Sequence, residues 1–425
     1  MTRGRRVALL LALCAASLDG RGAAAQATAD TAGPTVSGAP QISLITFGPG
    51  HNPWRVWELF GHNMIRVTDS AAGTDIAYNF GMFDFGQKNF FWNFLQGRMW
   101  YWMQGDNPKD WLRGYARAGR SIEIQELALS PDQARSLAGA LARNAQPDQM
   151  YYRYEPYRDN CSTRVRDALD LSLGGALERD LSALASGATF RSRTAELTAG
   201  SAPIYFGLML LLGPSTDQPL SAWEDSFIPM NFAGYLQPVT TPAPAGGAVP
   251  LVKAAGTRPG KGEEPGAPRP PESLLGLFLA VGVLIGGALG WSGARSGAGR
   301  GRGPFLVLGS LWSLVSGGAG FLMVYLWAFT DHTYAWRNEN LLQASVLGLV
   351  LFVLMAGWAR RGGPAPASVR AVAATIAVLS VAGVVLQLLP WFSQVNGPAL
   401  LFFVPANLGM ALGAARAAPA TTGPT

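Results

Sequence analysis

Cysteine and histidine are almost missing from this chain of 425 residues, which holds two cysteines, Cys14 and Cys161, and three histidines, His51, His62 and His332. So few cysteines exclude a disulfide framework, and three scattered histidines do not make a zinc site. Neither a phosphate-binding glycine loop nor a dinucleotide fingerprint occurs, so no cofactor or metal is expected. Charge is thin as well: 14% of residues are charged, against roughly 25% in ordinary soluble proteins. The shortfall lies mainly in the last third, where long apolar runs take over. The net charge of +6 forms no dense patch, and nucleic acid is not an expected partner.

What is present begins with an export signal. Arg3, Arg5 and Arg6 precede the apolar stretch from Val7 to Ala16, and Ala23-Ala24-Ala25 offers a small-residue cleavage site, so residues 1–25 read as a signal peptide. A lipoprotein signal is the rival, because Cys14 follows Leu11-Ala12-Leu13, but the bulky Leu13 makes it a poor one. Cleavage after Ala25 removes Cys14 and leaves Cys161 alone. A lone cysteine in an oxidising compartment is a buried bystander, an intermolecular partner or a working thiol.

Residues 41–236 carry the signals of an α+β globular domain. Ile42 to Phe47, Met64 to Thr68, Asp75 to Phe80 and Ser121 to Leu127 read as strands, the first stopped by Gly48-Pro49-Gly50. Ser130, Pro131 and Gln133 make a capping box before Ala134, Leu137, Ala138 and Leu141, which predicts a helix with one apolar face. From 237 to 272 the composition turns to Pro, Gly and Ala, the mark of a flexible linker. A membrane domain over 273–416 follows, with five apolar runs: Leu274–Trp291, Phe305–Phe329, Leu341–Trp358, Ala371–Leu389 and Pro398–Ala415. With the globular domain outside, the loops after the first and third runs and the tail are cytoplasmic. They hold Arg295, Arg300, Arg302, Arg360, Arg361, Arg370 and Arg416, whereas the opposite loops hold only Arg337. This is the positive-inside pattern. The expected location is a bacterial inner membrane, crossed several times, with the globular domain in the periplasm.

Cys161 lies in Asp159-Asn160-Cys161-Ser162-Thr163-Arg164-Val165-Arg166, where helical spacing of Val165, Ala168 and Leu169 puts it in a first helical turn. Free N–H groups and the helix dipole there favour a thiolate, as do Arg164 and Arg166, and the same N–H groups can hold an oxyanion. The plainer alternative is a buried, inert thiol. A thiol needs a base. His62, after Gly61 at the entrance to a strand, suits that role better than His51, which sits in a turn.

The pair Gly61-His62-Asn63-Met64-Ile65-Arg66-Val67 and Asn160-Cys161-Ser162-Thr163-Arg164 resembles the circularly permuted papain-like thiol enzymes, among them the lecithin:retinol acyltransferase relatives. A wider set of motifs resembles the Lnb-type lipoprotein N-acyltransferases: Phe47-Gly48-Pro49-Gly50, Leu59-Phe60-Gly61-His62, the run from Tyr78 to Phe85, Tyr154 with Asp159 to Arg164, Leu212-Gly213 with Asp217, Phe227-Ile228-Pro229, Asp331-His332 and Asn338 to Leu342. The resemblance implies a permuted papain-like domain followed by a helical transmembrane bundle. It also implies transfer of an acyl chain from a membrane phospholipid to the amino group of a lipoprotein's diacylglyceryl-cysteine. Cys161 would form the thioester and His62 would serve as base. Asn79, on the strand after the His62 strand, is the candidate third residue, with Glu58 as runner-up. Asn160, Arg164 and His332 are candidate substrate contacts. The aromatic run from Phe90 to Met103 either meets lipid or is ordinary core. Two competing functions remain: a papain-like cell-wall peptidase or amidase, and a non-enzymatic membrane-anchored binding protein in which Cys161 is structural.

Overall fold

The computed structural model describes residues 38–242, 247–260 and 271–418. The expected signal peptide, with Cys14 and its cleavage site, lies outside the described residues. Apolar alternation builds one seven-stranded antiparallel sheet from β1 (Gln41–Phe47), β2 (His62–Asp69), β3 (Thr74–Met82), β4 (Trp100–Asp106), β5 (Ile122–Leu127), β6 (Tyr151–Arg153) and a last edge strand, Val252–Arg258. Its order is edge strand, β5, β1, β2, β3, β4, β6. The four expected strands are all there. The expected helix from Ser130 is there too, with its capping box formed.

Helices cover both faces of the sheet. A short α1 (Val56–Leu59) leads into β2, and α2 (Phe90–Gln96) joins β3 to β4. On one face Ile45, Phe47, Met64 and Ala77 pack against Trp111, Leu112 and Tyr115 of α3 (Pro108–Arg117). On the other, Leu44, Ile65, Tyr78 and Phe80 pack against α4 (Pro131–Asn144) and α5 (Cys161–Ser172) through Leu137, Leu141, Val165 and Leu169. Period-two alternation thus divides each strand between two cores. Because Met64 pairs with Asn79, His62 and Asn79 share the α3 face at one end of the sheet, and a register shift between Asn79 and Met82 takes Gly81 out of that alternation.

The edge strand corrects the linker reading. The stretch from Leu251 to Arg258 contains no proline, Leu251 is fully buried, and Val252–Arg258 pairs antiparallel with β5. Proline removes a ladder donor, so this proline-free run can pair along its length with β5, and Thr240–Pro242 and Ala248–Pro250 of the same segment form a separate two-stranded sheet.

Five helices follow that are long and apolar enough to cross a membrane: Pro271–Gly297, Gly303–Phe329, Glu339–Arg361, Ala367–Leu386 and Gly397–Arg416. The first and fifth pack with their backbones nearly touching at Gly286 and Gly409, where a side chain has no room. Close approach through small residues is the usual way apolar helices associate in lipid. The globular domain is bonded to this bundle. Asn338 and Asn340 donate to the Leu210 carbonyl at 2.8 and 2.9 Å, and Gln394 donates to the Leu212 carbonyl at 3.0 Å.

Candidate functional site

Cys161 opens α5, and the surrounding sequence makes that turn rigid. Asn160 caps the helix: its Oδ1 accepts from the N–H groups of Ser162 (2.8 Å) and Thr163 (3.0 Å). Its Nδ2 donates to the carbonyls of Pro156 (2.8 Å) and Phe227 (3.0 Å). Ser162 Oγ donates to the Ser226 carbonyl at 2.7 Å and accepts from Asn63 Nδ2 at 3.1 Å. The Phe227-Ile228-Pro229 motif therefore braces the cysteine turn. Asn160, expected as a substrate contact, has its amide committed to this cap.

The imidazole near this turn comes from β2. His62 Nε2 lies 2.6 Å from Asn79 Oδ1, and Asn79 is buried with its Nδ2 3.2 Å from Met82 Sδ, which orients the amide. An amide oxygen only accepts, so Nε2 carries the proton and Nδ1 is the basic nitrogen. Asn79, the candidate third residue, is thus the hydrogen-bond partner of His62. Glu58 is instead paired with Arg55 at 3.0 Å, and His51 Nε2 lies 3.4 Å from the Gly119 carbonyl.

The two strands and the helix meet at Gly81. A methyl group built on Gly81, whose φ is +92°, would meet Cys161 Cβ at 3.4 Å, His62 Cε1 at 3.8 Å and Tyr152 Oη at 3.9 Å. Positive φ suits glycine, and its missing side chain leaves open the space on which the three groups converge. Cys161 and His62 are both partly accessible.

Electrostatics corrects one expectation. Burial pushes the Cys161 thiol up to about 11, although the N–H groups of Asn63, Ser162 and Cys161 and the charge of Arg120 pull it the other way. Desolvation outweighs the helix start. Nor do the nearby arginines supply free charge: Arg164 pairs with Asp159, and Arg166 with Asp167 at 2.7 Å. Burial lowers His62 to about 4, the Asn79 hydrogen bond opposes this, and Arg120 adds to it. At neutral pH the resting pair is thus a neutral thiol beside a neutral imidazole.

Two residues of this site carry no clear sequence signal. Tyr152, from the three-residue β6, is buried, and its Oη has no hydrogen-bond partner among the described residues. The Arg164 guanidinium lies over its ring at 4.3 Å. That contact, with the Asp159 pair, occupies the arginine expected to hold substrate. Arg120, just before β5, is buried, donates from Nε to the Gly48 carbonyl at 2.6 Å, and lies 4.6 Å over Tyr115. Tyr115 in turn stacks on Phe47 at 3.8 Å and faces His62 at 6.1 Å. His332 is elsewhere, its Nε2 2.9 Å from the Phe94 carbonyl on α2.

Residues 38–192 match the family described as the Lnb N-terminal periplasmic domain. This region belongs to the Lnb family. No curated protein and no solved structure matches the chain. The Lnb match takes in β1 to β6 and the site residues Cys161, His62, Asn79, Tyr152 and Arg120. Together with the five apolar helices, it makes the chain a multi-pass membrane protein with a periplasmic Lnb domain.

Proposed function

We propose that this chain is a lipoprotein N-acyltransferase whose Lnb domain has a permuted papain-like fold and works on the outer face of the inner membrane. The acyl donor is a membrane phospholipid and the acceptor is the α-amino group of a lipoprotein's diacylglyceryl-cysteine. What supports this reading is the convergence of Cys161, His62 and Tyr152 within 4 Å of one point at Gly81, in a domain bonded to membrane-spanning helices.

The chemistry follows from the neutral pair. His62 Nδ1 takes the thiol proton as Cys161 Sγ attacks the ester carbonyl, so the base works during the attack and not before it. The Tyr152 hydroxyl, with no other partner, donates to the oxygen that becomes negative. Collapse of the adduct breaks the ester bond. The departing lysophospholipid oxygen takes the proton from His62, and the acyl group remains on sulfur as a thioester. The amine then attacks the thioester, giving up a proton to His62. The amide forms, the C–S bond breaks, and the sulfur recovers its proton. Asn79 holds the imidazole in the required tautomer throughout.

The test uses the full chain in vesicles of one defined phospholipid with a synthetic diacyl lipopeptide. The lipopeptide should gain one acyl chain while lysophospholipid appears in equal amount, and Cys161→Ala should abolish both. Acylation that survives Cys161→Ala removes the nucleophile. A deletion strain with unchanged lipoproteins and altered wall peptides would favour a peptidase instead.

A further inference from the structure

A donor that is part of the bilayer has to reach a thiol that lies outside it. Helix α2 sits where that passage must begin. The Asp331 N–H donates to the Gln96 carbonyl at 2.9 Å, the Gln96 side-chain amide donates to the Tyr325 hydroxyl, and Arg98 pairs with Asp331 at 2.9 Å. Tyr325 lies one helical turn before Phe329, where the second span ends. Those bonds set α2 at the level of the outer end of a span, which is the head-group layer of a bilayer.

At that depth the exposed face of α2 is aromatic. Phe91 is 79% exposed, Trp92 57% and Phe94 59%, with Phe329 of the span 65% exposed. In water these rings would form an unfavourable apolar patch, whereas at a membrane interface they are at home. From α2 the rings continue inward in unbroken contact. Phe91 meets Phe90 at 5.4 Å, Phe90 meets Phe85 at 4.9 Å, and Phe85 meets Phe83 at 5.0 Å. Phe83 meets Tyr101 at 5.2 Å, and Tyr101 meets Tyr152 at 6.4 Å, beside Gly81 and the thiol.

We infer that α2 is an interfacial helix seated in the outer leaflet, and that the aromatic row leading from it is the route by which a phospholipid acyl chain reaches Cys161. The route rests on the acyl-transfer reading; the seating of α2 does not. Acyl chains slide over aromatic faces without losing apolar contact, so a chain tilted out of the leaflet stays covered until its ester reaches Gly81.

The experiment compares the full chain with the triple variant Phe91→Ser, Trp92→Ser, Phe94→Ser, all at exposed positions. In vesicles of phosphatidylethanolamine and phosphatidylglycerol, the variant should transfer acyl chains at least tenfold more slowly. In detergent micelles with dihexanoylphosphatidylcholine, a donor that needs no extraction from a leaflet, the two should agree within twofold. Vesicle lipids brominated along their acyl chains should quench the fluorescence that distinguishes the wild-type chain from Trp92→Phe. Equal vesicle rates would overturn the route, and absence of that quenching would overturn the seating. If the wild-type chain transfers from neither donor, the acyl-transfer reading fails and the route with it, while the quenching still decides where α2 lies.

Discussion

Replacing Tyr152 by phenylalanine removes one oxygen and leaves the ring. The ring's contacts with Phe80 at 6.5 Å, with Tyr101 at 6.4 Å and with the Arg164 guanidinium at 4.3 Å all remain possible. The lost hydroxyl has no partner among the described residues, so no other group is stranded by its removal. Deleting a buried, unpaired hydroxyl relieves a desolvation penalty of about 1–3 kcal/mol, so the variant should be as stable as the parent or more so. Its chemistry should suffer. Loss of one donor to a developing oxyanion costs about 100- to 1000-fold in kcat, or about 2.7–4 kcal/mol of transition-state stabilisation. The thioester step should therefore slow by that factor with KM for phospholipid little changed. Single-turnover acylation of Cys161, followed by intact mass, gives the rate, and thermal unfolding in the same detergent gives the stability. The reasoning is refuted by a variant that acylates at the parental rate. It is refuted equally by one that loses stability and activity together, because Tyr152 would then be ordinary core.

Other perturbations separate the parts of the site. Asn79→Ala leaves His62 Nε2–H without its 2.6 Å partner and removes the bond that holds the imidazole pKa up, so transfer should fall about 10- to 100-fold and its acid limb should move to lower pH. The acid limb of the parent should lie near His62's value of about 4, since His62 must be neutral to accept a proton, and rate is lost as pH drops through that value. Alkylation of Cys161 by iodoacetamide should keep rising with pH toward the thiol's value of about 11; a plateau already reached at neutral pH would mean a preformed thiolate. Arg120→Met removes a charge that lowers both groups, so the acid limb and the alkylation curve should both move to higher pH. Gly286→Leu pushes a side chain into the Pro405 backbone and should lower stability in detergent by about 1–3 kcal/mol, whereas Gly287→Leu, with nothing within 4 Å of its added carbon, should not.

Much of this was legible in the sequence because it is local or periodic. The capping box at Ser130 and Gln133 names a helix start from four residues, and the five spans follow from length and hydropathy alone. Asn79 was reachable because neighbouring strands usually pair. The rest depends on what distant segments bring together. The helix start and two arginines at Cys161 suggested a thiolate, but Asp159 and Asp167 neutralise those arginines and burial sets the sign. Tyr152 stands on a strand of three residues, too short for alternation to show. Arg120 is visible as a site residue only once β5 lies beside β1. The edge strand was hidden by Ala254, Ala255 and Gly256, small residues with weak strand preference that gain their place from pairing with β5.

The Asn338-Glu339-Asn340 motif makes sense in terms of what helices leave unsatisfied. The helix Ala202–Leu211 ends facing the membrane domain, and its last carbonyls have no partners within the helix. Asn338 and Gln394, from loops between spans, and Asn340, in the first turn of the third span, donate to the carbonyls of Leu210 and Leu212 at this helix end, and the Gly213 N–H donates to the Tyr334 carbonyl at 2.6 Å. Glu339 in turn accepts from Gln387 Nε2 at 2.9 Å and from the Ser393 N–H at 3.1 Å, which fixes the motif within its own domain. A flexible linker would let the globular domain wander from the bilayer by tens of ångströms. On the proposed acyl-transfer reading, donor and acceptor are both embedded in lipid, and such wandering would remove the thiol from both substrates at once. Fixed height converts a search in three dimensions into one along a plane, so on that reading the buried amides that impose it are positioning residues for the site.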